Sequence, residues 1–321
     1  MKVVVASRVA VDPVLTAIKA FEGIELHACK DHGEVPQAIH DADVLVLSDP
    51  KGNEGAPIAQ ALRAPGCKVR WIQMTTAGAQ GLLGAGVPPH VTVTNQGGAV
   101  APTVAESAMA MILAMSRQLP VILWRSAKHE WNPKFEPPLL ALEGRTLAIV
   151  GYGNLGRQLA QRARGFDMKI IGLSRSLASD PLADEMQPLS ELHAVLARAD
   201  VVAVTIASAR STRHLMNAAA FAAIKPGALF VNVARGEIVD QVALRNALTE
   251  GRLRSAFLDV TEPEPFPADD PLWDAPNLYI APHAAGHGGT RTGARIAKVL
   301  TANLERFRAG QPLEHRVEIE A

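Results

Sequence analysis

An arginine, a glutamate and a histidine, each a short way past a hydrophobic run, are the groups in this 321-residue chain best suited to move a proton beside a bound carboxylate. Phe230-Val231-Asn232-Val233-Ala234 leads into Arg235, Ala256-Phe257-Leu258-Asp259-Val260 into Glu264, and Leu278-Tyr279-Ile280-Ala281-Pro282 into His283. An open α/β sheet places its ligands at the ends of its strands, so the three are expected to converge. A guanidinium is always charged and offers a two-pronged donor to a carboxylate. An imidazole near neutrality gives or takes a proton, and a neighbouring carboxylate favours its charged form. This set suits reduction of a carbonyl, in which hydride reaches carbon and a proton reaches oxygen. Taken singly, each residue reads equally well as a surface ion pair or a strand-end cap.

The companion signal lies upstream. Thr146-Leu147-Ala148-Ile149-Val150 runs into Gly151-Tyr152-Gly153-Asn154-Leu155-Gly156 and then into a helical stretch over Arg157–Gly165. A bare G-x-G-x-x-G says little, but one that follows a strand and opens a helix is a dinucleotide-binding signature. Gly151 would permit the tight turn, Gly153 the approach of the pyrophosphate, and Gly156 close packing of helix on strand. Asn154 and Leu155 complete the loop, and the helix N-terminus supplies N–H groups for the anion. The next expected strand, Lys169–Leu173, ends in Ser174-Arg175-Ser176 instead of the carboxylate that holds an adenosine ribose. A guanidinium between two hydroxyls suits a 2′-phosphate, so NADP is favoured, with NAD left open if Arg175 only stacks on adenine.

Short β-branched runs must position these groups. Expected strands are Lys2–Ala6, Asp43–Leu47, Val69–Met74 and His90–Asn95, then a long apolar helix over about Pro102–Gln118. A second series follows at Thr146–Val150, Lys169–Leu173, Val201–Ile206, Ala228–Val233, Ser255–Val260 and Leu278–Ala281. Their alternation with Ala/Leu segments is the pattern of α/β folds with parallel sheets. The two series echo each other, Ala42-Asp43-Val44-Leu45-Val46-Leu47 against Ala199-Asp200-Val201-Val202-Ala203-Val204. The Pro-rich stretch Asn132–Pro138 reads as loop, and a final helix over about Thr290–Ala309 is expected to return onto the first series. Trp131, just ahead of that loop, is expected to pack or to edge the site.

Composition removes other classes. Lys plus Arg number 32 and Asp plus Glu 32, so nothing draws a polyanion from a distance and nucleic acid is not an expected partner. Two cysteines, Cys29 and Cys67, make neither a disulfide framework nor a four-ligand zinc site. His283 and His287 stand four apart, but the proline and glycines around them indicate loop, and no metal site is expected. No apolar run reaches membrane-spanning length and the N-terminus does not resemble a signal peptide, so a soluble, cytoplasmic protein without membrane contact is expected.

The strings VNVARGEIVD, FLDVTEPEP and APHAAG, in register with the glycine loop, resemble those of the D-isomer-specific 2-hydroxyacid dehydrogenases over nearly the whole chain. The resemblance implies two Rossmann-like/flavodoxin-like domains with parallel sheets and the active site in the cleft between them. Residues 1–101, completed by 284–321, would form the substrate-binding (catalytic) domain, and 102–283 the dinucleotide-binding domain. It implies that Arg235 binds the substrate carboxylate and polarises the keto oxygen, that His283 is the general acid/base with Glu264 as its partner, and that Asp259 lies near the nicotinamide carboxamide. Thr75-Thr76-Ala77-Gly78 resembles the family loop whose backbone N–H groups meet that carboxylate, at Ala77 and Gly78. Departures are Gln80, where an acidic residue is common, Thr205-Ile206-Ala207-Ser208, where a Leu-Pro pair is usual, and His287 in place of a hydroxyl residue. The expected reaction is reduction of a small 2-oxo acid, of glyoxylate or hydroxypyruvate type, to a D-2-hydroxy acid by a homodimer. The alternatives are oxidation of another small acid such as formate or phosphite, and a nucleotide sensor without turnover.

Overall fold

The computed structural model describes residues 1–317. Residues 318–321, the tail of the C-terminal stretch assigned above to the substrate-binding domain, lie outside the described residues. The chain divides into two compact units, Met1–Val100 with the segment from Gly288 onward, and Ala101–His287. In chain order the first unit contributes β1 (Lys2–Ala6), α1 (Val11–Lys19), β2 (Glu25–Ala28), α2 (Val35–Ala38), β3 (Val44–Leu47), α3 (Gly55–Leu62), β4 (Trp71–Met74), α4 (Gln80–Ala85) and β5 (Thr92–Thr94). The second unit carries α5 (Ala101–Ser116), α6 (Leu119–Ala127), β6 (Thr146–Val150), α7 (Asn154–Arg164), β7 (Lys169–Leu173), β8 (Glu185–Gln187) and α8 (Leu192–Leu196). It continues with β9 (Val201–Val204), α9 (Ala218–Ala223), β10 (Ala228–Asn232), α10 (Gln241–Thr249), β11 (Leu253–Leu258) and β12 (Leu278–Ile280). The chain then re-enters the first unit as α11 (Thr292–Arg308).

The first sheet is parallel throughout, in the order β2-β1-β3-β4-β5. Its alternating residues go to two cores, which is why its central strands read as unbroken hydrophobic runs. Val3, Val5, Val44, Val46 and Trp71 meet Val14 and Ile18 of α1 and Ile296, Leu300 and Leu304 of α11. Val4, Leu45, Leu47, Ile72 and Met74 meet Val35, Ile58, Leu62 and Leu82 on the other face. The second sheet is also parallel, in the order β12-β11-β10-β9-β6-β7-β8. Its order reverses between β6 and β9, the crevice where doubly wound sheets take nucleotides.

The sequence echo corresponds to a structural one. Asp43 begins the strand next to β1 and its Oδ2 accepts from Lys2 N–H at 2.8 Å. Asp200 begins the strand next to β6 and accepts from Thr146 N–H at 3.0 Å. Each aspartate satisfies the first donor of its unit's first strand and so fixes where the ladder starts.

Three elements had no sequence signal. β2 and β8 are short edge strands, Glu-Leu-His-Ala and Glu-Met-Gln, paired on one side only and lacking the β-branched run of a buried strand. Helix α6 begins after Gln118, whose φ of 50° turns the chain, and it lies at 66° to α5. Its Leu123 and Trp124 are mostly exposed, as is Trp131 at 97%. Trp131 therefore does not pack within its own chain, which removes one of its two expected roles. Among the described residues no single helix is long and apolar enough to cross a membrane.

Candidate active site

Two of the three glycines of the loop after β6 each solve a separate packing problem. Gly151 has φ +102°, and a Cβ there would lie 2.3 Å from Ile206 Cα, in the loop after β9. No side chain can be accommodated at that crossing. A Cβ on Gly156 would come within 2.8 Å of both Gly151 O and Ile149 Cγ2, so its absence lets α7 lie directly on β6. Gly153 meets nothing within 4 Å and is the N-cap of α7 with no side-chain cap of its own. An uncapped eleven-residue helix opening on empty space at a sheet's switch point has the donors and the room for a dinucleotide pyrophosphate. The chain fits the cofactor on these grounds.

Ser174 closes β7, donating its N–H to Gln187 O, and its Oγ accepts from Ser176 N–H at 3.3 Å. Arg175 between them is exposed and, among the described residues, has no carboxylate partner. Sequence reasoning missed its neighbours. Asp180 accepts from Arg157 Nε at 2.6 Å and from Leu182 N–H at 2.9 Å, fastening the segment after Ser176 to the first turns of α7. The Tyr152 ring lies where a Gly172 Cβ would be, within 2.7 Å. Burial, with the nearby Asp180 charge, pushes its phenol up to about 12. No spacing rule announces these contacts; they depend on which strand lies beside β6.

At the other strands of the same unit, Asn232 shapes the turn that presents Arg235. Its Oδ1 accepts from Ala234 N–H at 3.0 Å and its Nδ2 donates to Arg235 O at 2.9 Å. Arg235 Nη1 donates to Ala234 O at 2.6 Å. Gly236 then passes so near the loop after β11 that a Cβ would lie 2.1 Å from Thr261 C. That approach brings Arg235 beside Glu264. The Glu264 Oε1 accepts from Thr261 N–H at 3.2 Å, and Oε2 faces His283 Nδ1 at 2.8 Å. Burial raises the Glu264 carboxyl, but the hydrogen bond and charge of His283, the Thr261 N–H and the Arg235 charge outweigh it. The group is held below the ordinary carboxylate range.

His283 has φ 54°, a left-handed conformation uncommon for a residue with a Cβ, so the surrounding structure must hold it. Asp259 does the holding. Buried at the end of β11, it accepts from His283 N–H through its backbone O at 2.8 Å. Its Oδ1 accepts from Ala284 and Ala285 N–H at 2.9 Å each. Asp259 thus anchors the loop that carries His283, a part that its expected place beside the nicotinamide did not suggest. Arg235, Asp259, Glu264 and His283 therefore meet within one unit.

In the first unit, Thr75–Gly78 follows β4 at the C-terminal edge of its sheet. Ser7 and Thr75 hydroxyls are 2.7 Å apart, and Thr76 Oγ1 donates to Gly78 O at 2.8 Å and accepts from Asp49 N–H at 3.2 Å. Asp49 carboxylate oxygens accept from Gly81 and Leu82 N–H, capping α4 from outside. Ala77 is exposed at the crest of this turn and Gly78 partly so.

A doubly wound sheet with this glycine loop, beside an Arg–Glu–His group, defines an NAD(P)-dependent oxidoreductase. The profile described as "D-isomer specific 2-hydroxyacid dehydrogenase, NAD binding domain" matches residues 109–285. A glyoxylate reductase of Korarchaeum cryptofilum is 32% identical over 307 residues, covering 91% of this chain and 89% of the relative. A D-isomer specific 2-hydroxyacid dehydrogenase family protein of Aeromonas salmonicida has a crystal structure that superposes with TM-score 0.87 at 31% identity, covering 99% of each chain. An NADPH-dependent glyoxylate/hydroxypyruvate reductase of Sinorhizobium meliloti, solved with NADP and sulfate, gives TM-score 0.82 at 26% identity over 99% of this chain and 98% of that one. The chain belongs to the D-isomer-specific 2-hydroxyacid dehydrogenase family. It is an oxidoreductase of small 2-oxo and 2-hydroxy acids that uses NAD(P)H.

Proposed function

We propose that the protein reduces a small 2-oxo acid of glyoxylate or hydroxypyruvate type to the D-2-hydroxy acid, with NADPH preferred. The observation that carries this reading is the His283–Glu264 pair at 2.8 Å with Arg235 beside it. The dinucleotide, when bound, supplies the hydride. Gly151, Gly153, Asn154, Leu155 and Gly156 would cradle its pyrophosphate, Ser174, Arg175 and Ser176 would take its 2′-phosphate, and Asp259 would lie near its carboxamide. Arg235 grips the substrate carboxylate and draws electron density from the keto oxygen. The Ala77 and Gly78 N–H groups bind the same carboxylate. His283 donates its Nε2 proton to the oxygen as hydride arrives, while Glu264 holds the Nδ1–H and stabilises the charged ring. The division of labour is a substrate-binding domain at about residues 1–101 with 284–321, and a dinucleotide-binding domain at about 102–283. A homodimer belongs to the same proposal, and the exposed Leu123, Trp124 and Trp131 offer an apolar surface for it.

The test is a panel of glyoxylate, hydroxypyruvate, pyruvate and a bulky aromatic 2-oxo acid with each cofactor. Turnover confined to formate or phosphite, or none at all, would replace the reading with one of its rivals. Cofactor choice has its own test in Arg175→Ala, which should weaken NADPH about 10- to 150-fold, the size of a charged hydrogen bond, and leave NADH nearly unchanged. Equal weakening of both cofactors would make Arg175 a stacking residue.

The pH profile tests the pair. Because Glu264 is held low, it stays ionised as the pH falls and keeps its charge 2.8 Å from His283 Nδ1. Glu264→Gln removes that charge from beside the imidazole, so the pH above which reduction fails should fall. An unchanged profile would dissociate Glu264 from the proton transfer.

A further inference from the structure

We infer that Asn95 is a positioning residue that aims the Gly78 N–H at the substrate carboxylate. This rests on the substrate-loop role proposed above. Asn95 Nδ2 donates to Ala77 O at 3.2 Å, while Oδ1 accepts from Gly97 N–H at 3.0 Å. Both partners are backbone groups of fixed polarity, so only this orientation of the amide satisfies them. The Ala77–Gly78 peptide is trans, which points the Ala77 C=O and the Gly78 N–H in opposite directions. Fixing the carbonyl therefore fixes the N–H. On the far side Thr76 Oγ1 holds Gly78 O, so the peptides before and after Gly78 are both restrained. Among the described residues neither Ala77 N–H nor Gly78 N–H has an acceptor, as donors reserved for a ligand require.

Asn95 is itself held from below. Its backbone O accepts from Gln73 Nε2 at 2.8 Å and its N–H donates to His315 O at 3.0 Å. Gln73, buried, donates also to Met74 O, and its Oε1 accepts from Thr94 Oγ1 and from Asn303 Nδ2 of α11. A fully satisfied network of this kind is rigid and transmits its placement to the group it ends on. The chain of contacts runs from α11 through Gln73 and Asn95 to Ala77.

A rival explanation is that Asn95 serves only the Gly97 turn, as asparagine commonly does. Asn95→Asp separates the two, since it keeps the acceptor for Gly97 and loses the donor to Ala77. Asn95→Ala removes both without adding charge, and keeps the test alive if the aspartate variant does not fold. Binding of oxalate, a non-reacting analogue, is measured by calorimetry on the NADPH-loaded protein, at low and high salt to separate the new charge from the lost donor. Both variants should bind oxalate about 10-fold more weakly, with a matching rise in KM for the 2-oxo acid, while NADPH affinity holds. Wild-type affinity in Asn95→Asp would overturn the inference in favour of the turn. Should the wild type neither bind oxalate nor reduce any 2-oxo acid, the substrate-loop role falls first. The Gly78 amide resonance then decides on its own: a shift in both variants supports the aiming, and an unmoved resonance overturns it.

Discussion

His283→Ala is expected to lower kcat by roughly 100- to 10,000-fold while leaving the dissociation constant for NADPH unchanged, because a positioned acid/base contributes that much and the proposed role of the ring is proton transfer, not cofactor binding. The imidazole is presented by three restraints that the substitution does not disturb. Asp259 O holds the residue's N–H, and Asp259 Oδ1 holds the next two amides. Glu264 is fixed through Thr261 as well as through the ring. The variant should therefore fold and bind cofactor, and the loss should sit in the chemical step. At φ 54° the backbone gains nothing from alanine and loses the ring that Glu264 anchors, so a modest loss of stability is expected too. Single-turnover reduction with saturating cofactor is the measurement. A variant within threefold of wild type would remove His283 from proton transfer.

Much of this scaffold was legible in the residues, and the exceptions share a cause. The buried strands could be read because both faces of a parallel sheet demand apolar, β-branched runs, as in Val44–Leu47 and Val201–Val204. The glycine loop could be read because its three glycines answer three geometric needs, seen at Gly151 and Gly156 as clashes that any Cβ would make. The edge strands β2 and β8 could not, since Glu-Leu-His-Ala and Glu-Met-Gln lack the β-branched residues that mark the other two edges, Thr92-Val93-Thr94 and Leu278-Tyr279-Ile280. Of the two roles open to Trp131, its 97% exposure removes packing within the chain, since no other element covers it. The residues that aim the site were the least legible. Asn95 and Asn232 act through hydrogen bonds to backbone groups distant in the chain or around a turn, and Asp180 through the Arg157 side chain. Such contacts follow from strand order, which no local pattern states.

Arg235→Lys is the sharper test of the anchor, because it keeps the charge and removes only the shape. Asn232 holds the Arg235 backbone carbonyl and Gly236 fixes the approach to Thr261, so lysine would leave the same turn in place. Its ammonium would still carry the positive charge that, with His283, holds the Glu264 carboxyl low. The pH profile should therefore survive. What lysine cannot supply is the planar fork. Arg235 already spends one N–H on Ala234 O, and its remaining donors are enough for a two-pronged grip on a carboxylate and a further contact to the keto oxygen. Losing one charged hydrogen bond costs about 1.5–3 kcal/mol, so kcat/KM should drop about 10- to 150-fold, and further if the oxygen contact goes as well. The division between the constants tells which contact was lost. The carboxylate grip acts equally on substrate and transition state and its loss raises KM; the oxygen contact strengthens as charge develops and its loss lowers kcat. Both should move in Arg235→Lys. A variant with wild-type kcat and KM would leave the substrate carboxylate to the Ala77 and Gly78 amides alone.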